Sequence, residues 1–257
     1  FCTLLIVFMS AFPTNCCCPT PMGPIASGYT SKGFTGYIAG NPATSKRGVV
    51  MIQDIFGNHP NVYQFADVIA SNGFVVAVPD MFPNNTAWPQ TNWPPNYQSE
   101  EWQAFYGKIS QFDSFVPKVK QAVDLLTGMG CESVGCVGLC WGVKPAICAL
   151  KAKIVKAVVG PHPSFFCLDD VKDANGPICL LLSRDEAPLL DVKEELEKNQ
   201  FAEKNVFLRF DELYHGFLGA RGPLEKSFDF NYTADDVVTK RIAEASDAAI
   251  NFLKLTL

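Results

Sequence analysis

The chain has 257 residues, 48% of them hydrophobic and 18% charged, with a formal net charge of -5. That balance describes a globular chain able to bury one substantial core and excludes a disordered one. Lysine and arginine are scattered without a run, which excludes a basic surface for nucleic acid.

The first residues stand apart from the rest. Leu4 to Phe12 is almost wholly apolar, and Cys16, Cys17 and Cys18 follow it. The run is too short to span a bilayer, so stable membrane insertion is not expected. It suits a truncated signal peptide, which would make the protein secreted; with Met22 as the true start it would be cytoplasmic. Residues 1–22 are therefore read as an extension and 23–257 as a single domain. N-x-T sequons at Asn84 and Asn231 are compatible with secretion but occur at about the chance frequency.

After a glycine-rich entry through Gly40, Gly48 to Gln53 reads as a buried strand ending at Asp54. Val62, Phe65, Ala66 and Ile69 recur at helical spacing, and Ser71-Asn72-Gly73 stops that helix before a strand over Phe74 to Val78. Residues Pro79 to Asn96, rich in proline, asparagine and tryptophan, read as an irregular surface loop of the kind that lines pockets. Val116, Val119, Val123 and Leu126 mark the next helix, which Gly128 to Gly130 closes. A strand over Ser133 to Leu139 leads into a helix over Val143 to Leu150. Further strands are expected over Ile154 to Val159, Pro177 to Leu182 and Val206 to Phe210, with a helix over Leu189 to Lys198. Thr233 and Asp236 begin a last helix carrying Val237, Ile242, Ala245, Ala249 and Phe252 on its apolar face. Strand and helix alternate throughout, so the fold class is α/β: a mostly parallel central sheet with helices on both faces.

Between the strand at Ser133 and the helix at Val143 stands Gly138-Leu139-Cys140-Trp141-Gly142. Glycines two residues to either side of a nucleophile let a strand turn sharply into a helix and clear space around the reactive atom. The amide of Trp141, at the positive end of the following helix, is placed to stabilise a developing oxyanion. A thiol needs a base or positive potential to become a thiolate at neutral pH. His215 follows the last predicted strand at the same edge of the sheet, and His162 competes with it. Asp185, after the strand Pro177 to Leu182, is placed to orient the imidazole, with Glu186 and Asp211 as alternatives. The order nucleophile, acid, histidine is that of α/β-hydrolases. The six later cysteines form no C-x-x-C pair and the three histidines lie far apart in sequence, so no metal and no cofactor are expected.

Gln53-Asp54-Ile55-Phe56-Gly57, Val78-Pro79-Asp80, Gly138-Leu139-Cys140-Trp141-Gly142, His162-Pro163-Ser164 and His215-Gly216-Phe217 occur in that order. Together they resemble the dienelactone hydrolase family, most closely its eukaryotic branch, from about Cys17 to the C-terminus. The resemblance implies an α/β-hydrolase fold, a triad of Cys140, Asp185 and His215, and Ile55 as the second oxyanion-hole amide. It sets Asp54 where the bacterial enzymes carry a glutamate that contacts the resting thiol. Those enzymes grip a substrate carboxylate with arginines; this chain has Asn84 and Asn85 near one such place and Arg221 near the other. Trp88, with Phe82 and Trp93, is expected to form an aromatic wall for a less polar substrate. The expected activity is hydrolysis of a small-molecule ester or lactone through a cysteinyl acyl-enzyme; the rival reading is a non-catalytic ligand binder with a redox-sensitive Cys140. The sequence leaves the oligomeric state open.

Overall fold

A computed structural model describes residues 34–219 and 237–257. Among these residues seven strands form one sheet: β1 (Gly36–Ala39), β2 (Arg47–Ile52), β3 (Val75–Pro79), β4 (Ser133–Gly138), β5 (Val158–Pro161), β6 (Ile178–Ser183) and β7 (Val206–Phe210). Their spatial order is β1-β3-β2-β4-β5-β6-β7, and every pairing is parallel except that of β1 with β3. The helices are α1 (Pro60–Ser71), α2 (Glu100–Ile109), α3 (Val116–Gly128), α4 (Val143–Lys151), α5 (Leu168–Val171), α6 (Leu190–Lys198) and α7 (Val237–Thr256).

Successive side chains of a strand face opposite sides of a sheet, and the chain uses this to build two apolar layers. Val50, Ile52, Cys136, Val158, Leu180 and Leu182 face a layer shared with Val119 and Leu126 of α3 and Ala146, Ile147 and Leu150 of α4. Val49, Met51, Val137, Val159, Cys179 and Leu181 face Val62, Phe65 and Ile69 of α1 and Ala245, Ala249 and Phe252 of α7. With both faces covered, the central strands are continuous apolar runs, as a parallel sheet requires. The doubly covered parallel sheet expected from the alternation of elements is the one observed.

Three stretches differ from the sequence reading. Strand β1, in the glycine-rich entry, was not anticipated; four residues long, it holds to the sheet only through β3. Helix α2 was also missed, although Trp102, Phe105, Tyr106 and Ile109 follow helical spacing and the Ser99 hydroxyl accepts a bond from the Trp102 amide at 3.2 Å. Strand β5 starts at Val158, not Ile154, because Ile154 N–H is taken by the Ala149 carbonyl at the end of α4. The expected N-terminus of the last helix, at Thr233 and Asp236, lies outside the described residues.

Register fixes where the chemistry can sit. Ile52 pairs with Gly138, and Leu139 N–H bonds the Ile52 carbonyl at 2.9 Å, so β2 and β4 end together and the loops that follow leave from one edge. The turn beyond β4 is tightly packed: a Cβ on Gly138 would lie 2.3 Å from the Gly142 carbonyl oxygen, and one on Gly142 would lie 2.6 Å from that of Ile52. Both obstacles are backbone, which cannot swing aside. Gly138→Ala is therefore expected to destabilise the protein by about 1–3 kcal/mol, as overpacking does. Urea unfolding of the variant measures this, and an unchanged midpoint would mean that the turn yields without cost.

Candidate active site

Cys140 occupies the apex of this turn with φ of 55°, a left-handed conformation that a residue with a side chain adopts only when its surroundings enforce it. A 3-10 turn over Cys140–Gly142 feeds directly into α4. The thiol is thereby lifted clear of the backbone while Trp141 N–H opens the helical turn beyond it. The Trp141 ring is fully buried against Phe82 and Phe115, and its Nε1 donates to the Ile109 carbonyl at 2.9 Å. One residue thus supplies the amide beside Cys140 and ties α2 to the elbow.

His215 reaches the same edge from the loop after β7. The ring is buried and hydrogen-bonded to Cys140, and its Nδ1 meets Glu186 Oε1 at 2.6 Å. Glu186 is itself buried, and its other oxygen accepts the Ser183 amide at the end of β6. Burial by itself disfavours the charged imidazolium, but the Cys140 sulfur and the Glu186 carboxylate outweigh it and hold the His215 pKa well above its usual value.

The residue that faces Nδ1 is therefore Glu186, and the expectation for Asp185 is corrected. Asp185 Oδ2 instead accepts the backbone N–H of His215 at 2.8 Å, while its own N–H bonds Ser183 Oγ. Adjacent residues of a tight loop point different ways, and the extra methylene of glutamate lets the second of them reach the ring. Asp211 is paired with Arg209 at 2.7 Å and is exposed. Arg209 also donates to the carbonyls of Arg184 and Glu186, both at 3.0 Å, so a guanidinium braces the loop that carries the carboxylates. His162 is buried with its ring 5.0 Å from that of His215 and 5.2 Å from Phe217, and thus forms a wall beside the imidazole.

Asp54 also departs from expectation. Its Oδ1 accepts the Phe56 amide at 2.9 Å and its Oδ2 lies 3.3 Å from His59 Nε2, with both side chains buried. The short carboxylate is turned back into its own loop, which makes it a brace for that loop. The Trp88 amide donates to the Ile55 carbonyl at 2.8 Å, and Gln53 Nε2 bonds the Pro79 carbonyl, so the peptide carrying the Ile55 N–H is held from several sides. Trp88 itself is only 3% exposed, packed on Trp102 and Phe105 with its Nε1 bonded to the Asn92 carbonyl. It is a buried support of the loop and not part of the aromatic wall expected to face a substrate. Asn84 is exposed, and Arg221 lies outside the described residues.

Ser164 is the residue that sequence reasoning passed over, although it belongs to the motif His162-Pro163-Ser164. Its Oγ lies 3.2 Å from Cys140 Sγ, and its N–H bonds the Cys140 carbonyl at 3.1 Å. The other described thiols are in different surroundings. Cys136 and Cys179 are fully buried, which pushes their pKa up, and burial with a bond to Asp113 takes Cys148 to about 12. Among the described residues no group of three or more His, Cys, Asp or Glu is arranged to hold a metal, and no helix is long and apolar enough to cross a membrane.

A doubly wound sheet with a thiol at a strand-to-helix elbow, a carboxylate loop after β6 and a histidine loop after β7 defines an α/β-hydrolase. The profile of the Dienelactone hydrolase family matches residues 34–257, and the chain belongs to that family. It is 30% identical over 237 residues to an uncharacterized AIM2 family protein of Schizosaccharomyces pombe, covering 84% of this chain and 94% of the relative. It is 25% identical over 193 residues to the carboxymethylenebutenolidase homolog of Pongo abelii, covering 71% and 75%. In fold it is similar to the dienelactone hydrolase-like promiscuous phosphotriesterase P91 from metagenomic libraries, with a TM-score of 0.58, 18% identity and 88% and 89% coverage. Family membership makes the protein a hydrolase of carboxylic esters.

Because Cys140 contributes to the raised His215 pKa, Cys140→Ala is expected to make the imidazole titrate at lower pH than in the parent. Nuclear magnetic resonance titration of the His215 ring reads this directly; an unmoved midpoint would mean that thiol and imidazole are not coupled.

Proposed function

We propose that the protein cleaves small esters or lactones through a cysteinyl acyl-enzyme, with Cys140 as nucleophile, His215 as general acid and base, and Glu186 as the group that orients His215. The observation that carries this reading is the continuous chain of contacts Cys140, His215, Glu186 at the apex of the elbow. The imidazole takes the thiol proton, and the sulfur attacks the substrate carbonyl carbon. The oxygen that gains the electron pair is met by the N–H groups of Trp141 and Ile55, an interaction typically worth about 2.7–4 kcal/mol per donor. Collapse of that intermediate breaks the ester C–O bond, and His215 returns the proton to the departing alkoxide. Water, deprotonated by the same ring, then attacks the thioester, and breakage of its C–S bond releases the acid and frees the Cys140 sulfur. Glu186 accepts a hydrogen bond from Nδ1–H throughout, keeping Nε2 directed at the reaction. Asp185 serves differently, by holding the backbone of His215.

The surroundings favour a substrate of low polarity. Phe165 follows Ser164, and its half-buried ring lies 5.4 Å from that of Tyr106 on α2 and 6.5 Å from Phe112. Such faces gain by covering apolar or aromatic surface.

Cys140→Ala is expected to abolish turnover of activated aryl esters while leaving the urea midpoint near that of the parent. Glu186→Gln should lower kcat/KM by about a hundredfold or more, because a neutral amide neither fixes the tautomer nor compensates the imidazolium. Asp185→Asn, which keeps an acceptor for the His215 amide, should cost less than about tenfold. The reverse order of those two variants would transfer the orienting role to Asp185, and full activity of Cys140→Ala would remove the mechanism.

A further inference from the structure

We infer that the hydroxyl of Ser164 donates a hydrogen bond to the Cys140 sulfur and holds it as the thiolate in the resting enzyme. The inference deepens the reading of Cys140 as nucleophile and rests on it. Its first ground is contact: Ser164 Oγ is 3.2 Å from Sγ, within hydrogen-bond range for a sulfur acceptor. Its second ground is how the hydroxyl comes to be there. The loop after β5 carries it, and both residues flanking the Pro163-Ser164 pair are in left-handed backbone, His162 with φ of 40° and Phe165 with φ of 58°. Neither is glycine, so both conformations are unfavourable and persist because other bonds impose them. Those bonds are visible: His162 N–H to the Leu181 carbonyl at 2.7 Å, and Ser164 N–H to the Cys140 carbonyl at 3.1 Å. The loop is thus fastened to β6 on one side and to the elbow on the other, with Ser164 fixed against the sulfur.

The carboxylate that the family resemblance assigns to the resting thiol is engaged elsewhere. Asp54 is bonded to Phe56 and His59. A hydroxyl in its place changes the sign of the interaction. A carboxylate beside a thiolate repels it, whereas an O–H donor stabilises the negative sulfur and is itself a neutral group. The sulfur loses its charge when the S–C bond to the acyl group forms and regains it when that bond breaks in deacylation. Ser164 therefore assists the departure of the thiolate, and its own proton stays on Oγ throughout.

Ser164→Ala keeps the backbone bond to Cys140 and removes only the hydroxyl. Hydrogen bonds to charged groups imply that the thiolate-to-thiol ratio falls by about tenfold. Thiolate ultraviolet absorbance, with Cys140→Ala as the blank, should drop accordingly at neutral pH. The pH midpoint of Cys140 alkylation by iodoacetamide, read by mass spectrometry, should move up by about one pH unit, the shift that a tenfold change in the ratio produces. Ser164→Thr and Ser164→Val form a second, shape-matched pair in which only the threonine keeps a hydroxyl. Recovery of thiolate absorbance in Thr but not in Val is the expected result. Equal absorbance and equal alkylation midpoints in the parent, Ala, Thr and Val proteins would overturn the inference. These readouts need no ester turnover, so the failure of Cys140→Ala to abolish hydrolysis would sink the proposed mechanism while leaving the Ser164 contact separately decided.

Discussion

The site depends on one steric constraint, the close passage of the elbow over the end of β2. Gly142 sits so near the Ile52 and Gln53 carbonyls that any side chain there would collide with backbone, and Gly138 has the same relation to Gly142. That packing holds Cys140 in left-handed backbone and brings the loop after β2 alongside the elbow. The amides of Ile55 and Trp141 come from segments far apart in sequence, yet they share one edge because β2 and β4 end in register. The strain at Cys140 is sustained by a sheet buried on both faces, whose aliphatic side chains each contribute about 1.5–3 kcal/mol when fully buried.

A second layer of organisation ties the loops to one another. The β6 and β7 loops are joined by Arg184 N–H to the Leu213 carbonyl, by Asp185 to the His215 amide and by Glu186 to the His215 ring. Arg209, already paired with Asp211, spends its remaining donors on backbone carbonyls of the carboxylate loop. A guanidinium bonded to carbonyl oxygens orders a loop by geometry, since its planar fork admits few arrangements. The result is a histidine whose ring and backbone are separately held by neighbouring acids. Exposed ion pairs elsewhere on the surface, such as Lys120 with Asp124, are worth far less.

The tryptophans and phenylalanines around α2 extend the same logic outward. Trp141 reaches from the elbow to the Ile109 carbonyl, and Trp88 reaches from the long loop after β3 to the Ile55 carbonyl. Their rings are buried in one aromatic cluster with Phe82, Trp102 and Phe105. A segment that reads as an irregular surface loop is thereby anchored both to the loop that carries Ile55 and to the elbow that carries Trp141. The buried Asp54 and His59 brace the same loop from within.

The sequence by itself determined the fold class, the place of the elbow and the strand ends at which partners had to stand. Those properties are local: apolar runs, helical spacing, glycines at fixed offsets and the order of Cys140, the carboxylates and His215. It did not reveal β1, whose four residues carry too little pattern, and α2 was passed over beside a loop rich in proline. Only the tertiary structure decided between Asp185 and Glu186, because adjacent residues share the same loop and differ only in where the backbone aims them. It likewise turned Asp54 into a brace, buried Trp88, set Ser164 against the sulfur and left His162 as a wall. Each of these rests on distances between segments brought together by the sheet, and spacing along one chain carries no record of such distances.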